Sequence, residues 1–418
     1  MNFINSSMYT LAQTLAKMFV GFVIIKLIAV TSGPVGVSNF GFFQNISLIY
    51  VMLCGGLAVT GVTKVISESP IRTKNIFCKF NSIGQFTYNA SIYGTLSVGA
   101  LLGGYFLLSE QYSIDTILYF SLGLFFVFFQ SKVLIFNAVL NGFYQIKQLA
   151  QVNIWASIIS LSFALCTYYY YPKWQLLSIS IPLGYFVVYF FTEKKNIRFY
   201  RNKKLNIDLG SSLIIKKYAF FGLVSAISLP LCQITIRNYL SVSYSAHDAG
   251  IWQGLIRFSE VYLVFVSSAL SVYLVPKISS SRCKNEIINI VKKVFSATVL
   301  VSVLGILLVY LFRNTIITVL FDESFLEMSE LFIYQLPGDF FKILSWVIAF
   351  SLLGMGGVKI MIILEIIFSV TYVTMSLFLL DTYGLLGAII AYTINYGIYL
   401  LAILIMFGVK VGKYETLS

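Results

Sequence analysis

Apolar runs of about 20 residues, each long enough to cross a ~30 Å hydrocarbon core as an α-helix, recur along the whole of this chain. Spans of a β-barrel would instead be segments of about ten residues with alternating polarity, which is not the pattern here. Charged residues make up only 11% of the sequence. Soluble proteins need about a quarter, so most of the surface must face lipid. The chain is therefore predicted to be an all-α integral membrane protein.

The apolar runs predict twelve helical spans and two lobes. The spans fall near residues 7–31, 40–66, 80–108, 115–141, 149–169, 175–193, 213–240, 248–276, 288–312, 326–353, 359–380 and 384–409. The longest connection is strongly basic and separates two sets of six spans. We therefore predict an N-terminal six-helix lobe over 1–193, a basic cytoplasmic linker over 194–212, a C-terminal six-helix lobe over 213–409 and a cytoplasmic tail over 410–418.

Basic residues sort between alternate connections. Twenty-one of the 29 lysines and arginines lie in or next to connections on one side, whereas only Lys173 and Arg313 belong to those on the other. The positive-inside rule places the basic side in the cytoplasm. Both termini are then cytoplasmic, which requires an even number of spans, as twelve is. The net charge of +13 thus reflects membrane topology, and we predict no nucleic-acid partner.

The sequence lacks the signatures of enzymatic chemistry. It has no Walker A motif and no serine nucleophile motif, and His247 is its only histidine. Its five cysteines form no CxxC pair. We therefore predict no enzymatic activity, no cofactor and no metal site.

Apart from charged residues near the ends of the spans, which we assign to the adjoining connections, nine ionisable residues fall inside the predicted spans, six basic and three acidic. They are Lys17, Lys26, Lys132, Arg237, Arg257, Lys342, Glu260, Asp339 and Glu365. An ionisable group at mid-membrane costs roughly 2.5–3.5 kcal/mol on insertion scales, so such groups should face a bundle interior or a watery cavity. The excess of positive charge favours an anionic ligand.

Polar residues follow helical spacing on three of these spans, which places each set on one helix face. The sets are Gln233 with Arg237, then Gln253 with Arg257 and Glu260, then Gln335 with Asp339 and Lys342. We predict a substrate-binding cavity lined by Lys17, Arg237, Gln253, Arg257, Glu260, Gln335, Asp339 and Lys342. The alternative is that Arg257–Glu260 and Asp339–Lys342 are structural ion pairs that only fix helix packing.

Several short motifs resemble one family of transporters. They are SGPVGV at 32–37, GVTK at 61–64, AGIWQG at 249–254, SVYLVPKIS at 271–279 and YQLPGDFFK at 334–342. Together they resemble the Wzx-type lipid-linked oligosaccharide flippases of the multidrug/oligosaccharidyl-lipid/polysaccharide exporter (MOP) superfamily. The match looks closest to the branches for enterobacterial common antigen lipid III and for O-antigen.

That resemblance implies two six-helix lobes around a central cavity that opens alternately to either side of the membrane. It implies a substrate made of an oligosaccharide repeat unit on undecaprenyl diphosphate, moved from the cytoplasmic to the periplasmic leaflet of the bacterial inner membrane. Arg237 would match a basic residue of the family's seventh helix, and Asp339 and Lys342 its GD-x-x-K stretch. Whether the chain works alone or beside a polysaccharide polymerase and a chain-length regulator stays open.

Two other functions stay open at this point. A cation-coupled small-molecule exporter of the same superfamily would share the fold, but its cavity should carry net negative charge. A membrane-embedded glycan polymerase or ligase would share the setting and the substrate. Such enzymes usually need a substantial periplasmic loop, and the external connections here are short.

Overall fold

The computed structural model describes residues 3–67, 83, 85–99, 113–200, 209–281 and 283–412, and within these ranges the chain is helical apart from short turns. The helices are α1 (Phe3–Leu53), α2 (Val59–Ser67), α3 (85–99), α4 (Ile114–Gly142), α5 (Ile146–Tyr170), α6 (Trp174–Tyr200), α7 (Leu209–Ser243), α8 (Ala246–Ser280), α9 (Lys284–Leu311), α10 (Arg313–Leu320), α11 (Met328–Gly354), α12 (Val358–Tyr383) and α13 (Leu385–Gly412). Parts of the predicted third span, of the basic linker (201–208) and of the tail (413–418) lie outside the described residues.

Helix α1 contains two predicted spans joined by a kink. Gly33 has a φ of 57°, in the left-handed region that favours glycine, and Pro34 follows it. The apolar part of this helix covers 46 residues. At 1.5 Å per residue it is about 69 Å long, roughly twice the thickness of a hydrocarbon core. The predicted connection at 32–39 is therefore a kinked continuation of the helix rather than a loop.

The predicted all-α membrane fold is confirmed. In the part of the chain that the structure describes, nine helical segments are long and apolar enough to cross a membrane, and kinked α1 is one of them. Because α1 is long enough for two crossings, and α3 and α7 coincide with predicted spans, the described helices agree with about twelve spans. Helix α6 continues to Tyr200, so the predicted linker begins as helix. The short α10 was not predicted because its eight residues cannot cross a membrane.

Contacts between residues divide the chain into two compact units. The first comprises Met1–Ser32 with Phe40–Pro230, and the second comprises Gly33–Asn39 with Leu231–Ser418. In the first unit, α6 packs against α4 and α5, and α2 packs against α4. In the second, α11 packs against α8, α9 and α13, and α12 packs against α13. The predicted lobe boundaries at 193 and 213, and the central cavity between lobes, stay predictions.

Candidate substrate-binding site

The polar residues of α11 are buried because this helix is surrounded by others of its unit. Gln335 and Asp339 are 1% and 0% exposed. A buried carboxylate is costly unless hydrogen bonds replace its lost water, so Asp339 requires partners from the neighbouring helices. The sequence offers such partners on α8 and on α13.

Three hydroxyl groups donate to the carboxylate of Asp339. Ser259 Oγ donates to Oδ2 at 2.7 Å, and the hydroxyl of Tyr262 donates to the same oxygen. From α13, the Tyr392 hydroxyl donates to Oδ1 at 2.7 Å. Gln335 Nε2 donates in turn to Ser259 Oγ at 3.3 Å. The carboxylate thus links α8, α11 and α13 through neutral donors.

Lys342 lies one turn beyond Asp339 and is held by aromatic faces. Its ammonium nitrogen is 4.8 Å from the ring centre of Tyr396, 5.5 Å from that of Tyr392 and 5.7 Å from that of Trp346. Such cation–π contacts stabilise a lysine charge away from water. Among the described contacts of Asp339 and Lys342 there is no direct ion pair between the two. The structural ion pair considered for them is therefore not the arrangement that forms.

The polar stripes predicted on α7 and α8 face each other. Gln233 Nε2 donates to Glu260 Oε1 at 2.9 Å, and buried Arg237 donates from Nη1 to Gln253 Oε1 at 3.0 Å. Within α8, Arg257 Nη1 donates to Glu260 Oε2 at 2.7 Å. The structure therefore brings together the predicted site residues of α7 and α8, and Arg257–Glu260 is an ion pair.

Several buried polar atoms of this cluster have no hydrogen-bond partner among the residues that the structure describes. They are Nε and Nη2 of Arg257, Nε2 of Gln253 and Oε1 of Gln335. Buried polar groups in proteins are nearly always paired, so unpaired ones call for an explanation such as an absent ligand or water. Three of these four atoms are donors, which suits a ligand with accepting oxygens.

Lys17 belongs to the first unit, whereas the cluster belongs to the second, and Lys17 is exposed on α1. Its place in a cavity stays a prediction. The first unit has polar contacts of its own: Lys132 Nζ donates to Ser91 Oγ, and Asn137 Nδ2 donates to Asn153 Oδ1 at 3.2 Å. These contacts involve none of the other predicted site residues.

The sequence reasoning missed the hydroxyl and aromatic partners of the cluster. Ser259 and Tyr262 lie beside residues that were singled out, yet they look unremarkable in an apolar span. A signal existed on α13, where Tyr392, Tyr396 and Tyr399 follow the spacing i, i+4, i+7 and share one face. Aromatic residues are so frequent in this chain that the stripe does not stand out.

Comparison with known proteins gives full-length matches. The lipid III flippase of Escherichia coli K12 is 25% identical over 417 residues, and the match covers 96% of each chain. Among solved structures, an inward-facing multidrug resistance MATE family transporter of the MOP superfamily has a TM-score of 0.79 at 12% identity, over 97% of this chain and 96% of that one. The lipid II flippase MurJ has a TM-score of 0.73 at 15% identity, over 96% and 87%. No family model matches.

The described helices form a multi-pass membrane fold similar to that of solved transporters of the MOP superfamily. Within that superfamily, the predicted resemblance to the Wzx-type flippases is confirmed by the full-length match to the lipid III flippase. These relatives are flippases and transporters rather than enzymes, in agreement with the prediction that the chain does not catalyse a reaction.

Proposed function

We propose that this chain is a flippase that moves an undecaprenyl-diphosphate-linked oligosaccharide from the cytoplasmic to the periplasmic leaflet of the bacterial inner membrane. The repeat unit would belong to O-antigen or a similar surface polysaccharide. Movement would occur by alternating access, with the lipid tail in the bilayer while the head group passes through the protein. The full-length similarity to a lipid III flippase supports the substrate class.

The observation that carries the proposal is the orientation of the Arg257 guanidinium. Its Nη1 donates a hydrogen bond to Glu260, whereas Nε and Nη2 have no partner in the described part of the chain. Nε–H and one N–H of Nη2 point from the same edge of the planar group, as two parallel donors. That edge matches a pair of phosphate oxygens, which is why arginine binds phosphate so often. Glu260 therefore orients Arg257, and the remaining edge would bind the diphosphate.

Other residues of the cluster suit the remaining chemistry of the head group. Gln253 Nε2 and Gln335 Oε1 supply one donor and one acceptor for sugar hydroxyls. Arg237 and Lys342 add positive charge within the same unit, which favours the diphosphate over a cationic drug. Lys342 also has three aromatic neighbours, and aromatic faces pack well against sugar rings.

Deletion of the gene in its host, followed by analysis of lipid-linked glycans by leaflet and by mass, tests this proposal. We expect a single undecaprenyl-diphosphate repeat unit to accumulate facing the cytoplasm, with loss of the surface glycan. The wild-type gene should restore export, Arg257→Ala should not, and Lys359→Ala at the cytoplasmic end of α12 should restore it fully. The mass of the accumulated lipid identifies the sugar.

Three outcomes would count against the proposal. Repeat units that reach the periplasmic face but stay unpolymerised would indicate that this chain is a polymerase. Its association with a chain-length regulator would then be tested. No change in any glycan would indicate a small-molecule exporter of the same fold. Full export by Arg257→Ala, with normal membrane insertion, would remove Arg257 from the binding site.

A further inference from the structure

A long apolar groove lies between α8 and α9 in the second unit. It has a volume of about 720 Å³, within the range of ~300–1,000 Å³ of ligand-binding pockets. Both helices pack against α11, and Ile343 of α11 contributes to the lining. Apart from its two ends the groove is lined mainly by aliphatic, small and hydroxyl side chains. It is therefore shaped for a hydrocarbon chain rather than for a water-soluble ligand.

The groove is longer than one leaflet of the membrane. On α9, both Lys293 and Val309 belong to its lining. These two residues are sixteen positions apart, which corresponds to about 24 Å of helix. Half of the hydrocarbon core is only about 15 Å thick. At Ile306 the apolar surface joins a second hollow of about 440 Å³ between α9 and α11. A chain lying along this path would pass the midplane, which an acyl chain of one leaflet does not do.

One end of the groove is positively charged. Lys277 and Lys293 belong to its lining, and none of the described lining residues is acidic. Lys277 is held at the wall because its Nζ donates to the Tyr273 hydroxyl at 2.8 Å. Lys277 lies in the last turn of α8, and α9 begins at Lys284, so the charged end lies at the cytoplasmic side of the membrane. This charge is complementary to a lipid phosphate in the cytoplasmic leaflet.

The middle of the groove adjoins the polar cluster. Tyr262 contributes to the lining and also donates a hydrogen bond to Asp339. Ile343 follows Lys342 directly in α11. The groove and the candidate site thus share a wall, so a lipid in the groove would lie beside the residues proposed to bind its head group.

We propose that this groove binds the polyprenyl chain of the substrate, and that Lys277 and Lys293 bind its phosphate group before transport. This inference rests on the proposed function for the identity of the lipid. The length of the lining and the charge at its cytoplasmic end favour a long-chain polyprenyl phosphate over an ordinary phospholipid. The groove is a docking position for the lipid, distinct from the head-group contacts of Arg257.

A larger side chain at position 305 would fill the groove without clashing with the protein. A Cβ atom added at Gly305 would meet no atom within 4 Å, and the same is true of Gly408 on α13, which lies outside the groove. Gly305→Leu therefore blocks the groove, and Gly408→Leu is the matched control for helix propensity and membrane insertion. For the charged end, Lys277→Gln and Lys293→Gln are compared with Lys359→Gln on α12.

The experiment measures binding of undecaprenyl monophosphate to the full chain in phosphatidylcholine nanodiscs by native mass spectrometry. Phosphatidylglycerol is titrated in parallel as a short-chain anionic lipid. We expect Gly305→Leu to weaken binding of undecaprenyl monophosphate about tenfold relative to Gly408→Leu, because the side chain displaces the lipid from contact. Each lysine substitution should weaken it about fivefold. Phosphatidylglycerol should bind more weakly than undecaprenyl monophosphate and change little in Gly305→Leu.

Each contrary result has a definite meaning. Unchanged binding in Gly305→Leu overturns the groove as the tail site, even if the lysine variants bind less. Equal losses for both lipids identify an ordinary phospholipid site and overturn the polyprenyl assignment. This assay needs no transport, so its failure is distinguishable from failure of the proposed function, which the glycan analysis of a deletion strain decides separately.

Discussion

Arg257 and Glu260 form an ion pair one turn apart on α8, at 2.7 Å between Nη1 and Oε2. Glu260 also accepts from Gln233 of α7, so it has partners on both helices. Arg257 uses only one of its three nitrogens in this pairing, and the other two are buried without a partner within the described ranges. Under the proposed function, Glu260 would orient the guanidinium so that its other edge could bind the substrate.

Replacement of Arg257 by lysine should impair transport although the charge is kept. A lysine ammonium is a point charge and cannot present two parallel donors to a phosphate. We expect Arg257→Lys to lower the rate of lipid-linked glycan export about tenfold, on the order of the loss of one charge-assisted hydrogen bond. Arg313→Lys, the same change at an external arginine that stacks on Tyr310, should have little effect. Full export by Arg257→Lys would show that substrate binding does not use the two parallel donors of the guanidinium.

Joint replacement of Arg257 and Glu260 separates a structural role from a binding role. Arg257→Gln alone leaves the partly buried Glu260 charge without its cation, and should lower the unfolding temperature in detergent. In the double variant with Glu260→Gln, the unfolding temperature should recover, because neither charge is left unpaired. Export should remain lost. If the double variant also recovered export, the pair would be structural only.

Removal of the Asp339 carboxylate should destabilise the second unit. Asp339→Ala leaves the hydroxyls of Ser259, Tyr262 and Tyr392 without their acceptor, and each buried unsatisfied group costs about 1–3 kcal/mol. Tyr392→Phe removes one donor and should cost only about 1 kcal/mol. Thermal unfolding of the purified variants measures both. A smaller loss for Asp339→Ala than for Tyr392→Phe would contradict this account of the cluster.

Substitution of Gly250 should disturb the packing of α8 against the kink of α1. A Cβ atom at Gly250 would lie 2.0 Å from the carbonyl oxygen of Pro34, and backbone cannot move aside as a flexible side chain can. We expect Gly250→Ala to cost about 3 kcal/mol or more, despite the better helix propensity of alanine. Gly397→Ala on α13 is the control, since its nearest neighbours are at an ordinary 3.6 Å. Expression level and unfolding temperature measure the difference.

Much of the site was predictable because helical spacing is a local property. The stripe of Gln253, Arg257 and Glu260 follows from residue positions alone, and these side chains do share a face on α8. The pairing of that stripe with Gln233 and Arg237 of α7 was not predictable, because the rotation of two helices about their axes depends on all their neighbours. The sequence left open whether Arg257 and Glu260 form a structural ion pair or line a substrate-binding cavity.

The kink in α1 shows where local reasoning stops. The motifs SGPVGV and AGIWQG were noted separately as parts of a family resemblance. In the structure they meet, because Pro34 of the first motif contacts Gly250 of the second. The apolar runs predicted a connection at 32–39 between two separate spans. Packing of the kink against α8 is a contact between segments over 200 residues apart, which no local pattern reveals.

The sequence by itself determined the all-α membrane class and the approximate spans, and it predicted the topology and the set of charged residues that should avoid lipid. These follow from the thickness of the bilayer, the helical rise and the charge bias of the connections, all of which are read locally. Only the tertiary structure decided the partners of those charges. Asp339 is bonded to hydroxyls 80 and 53 residues away, and Lys342 lies against tyrosine rings of another helix. Such contacts depend on how whole helices pack, so residue spacing along one helix cannot specify them.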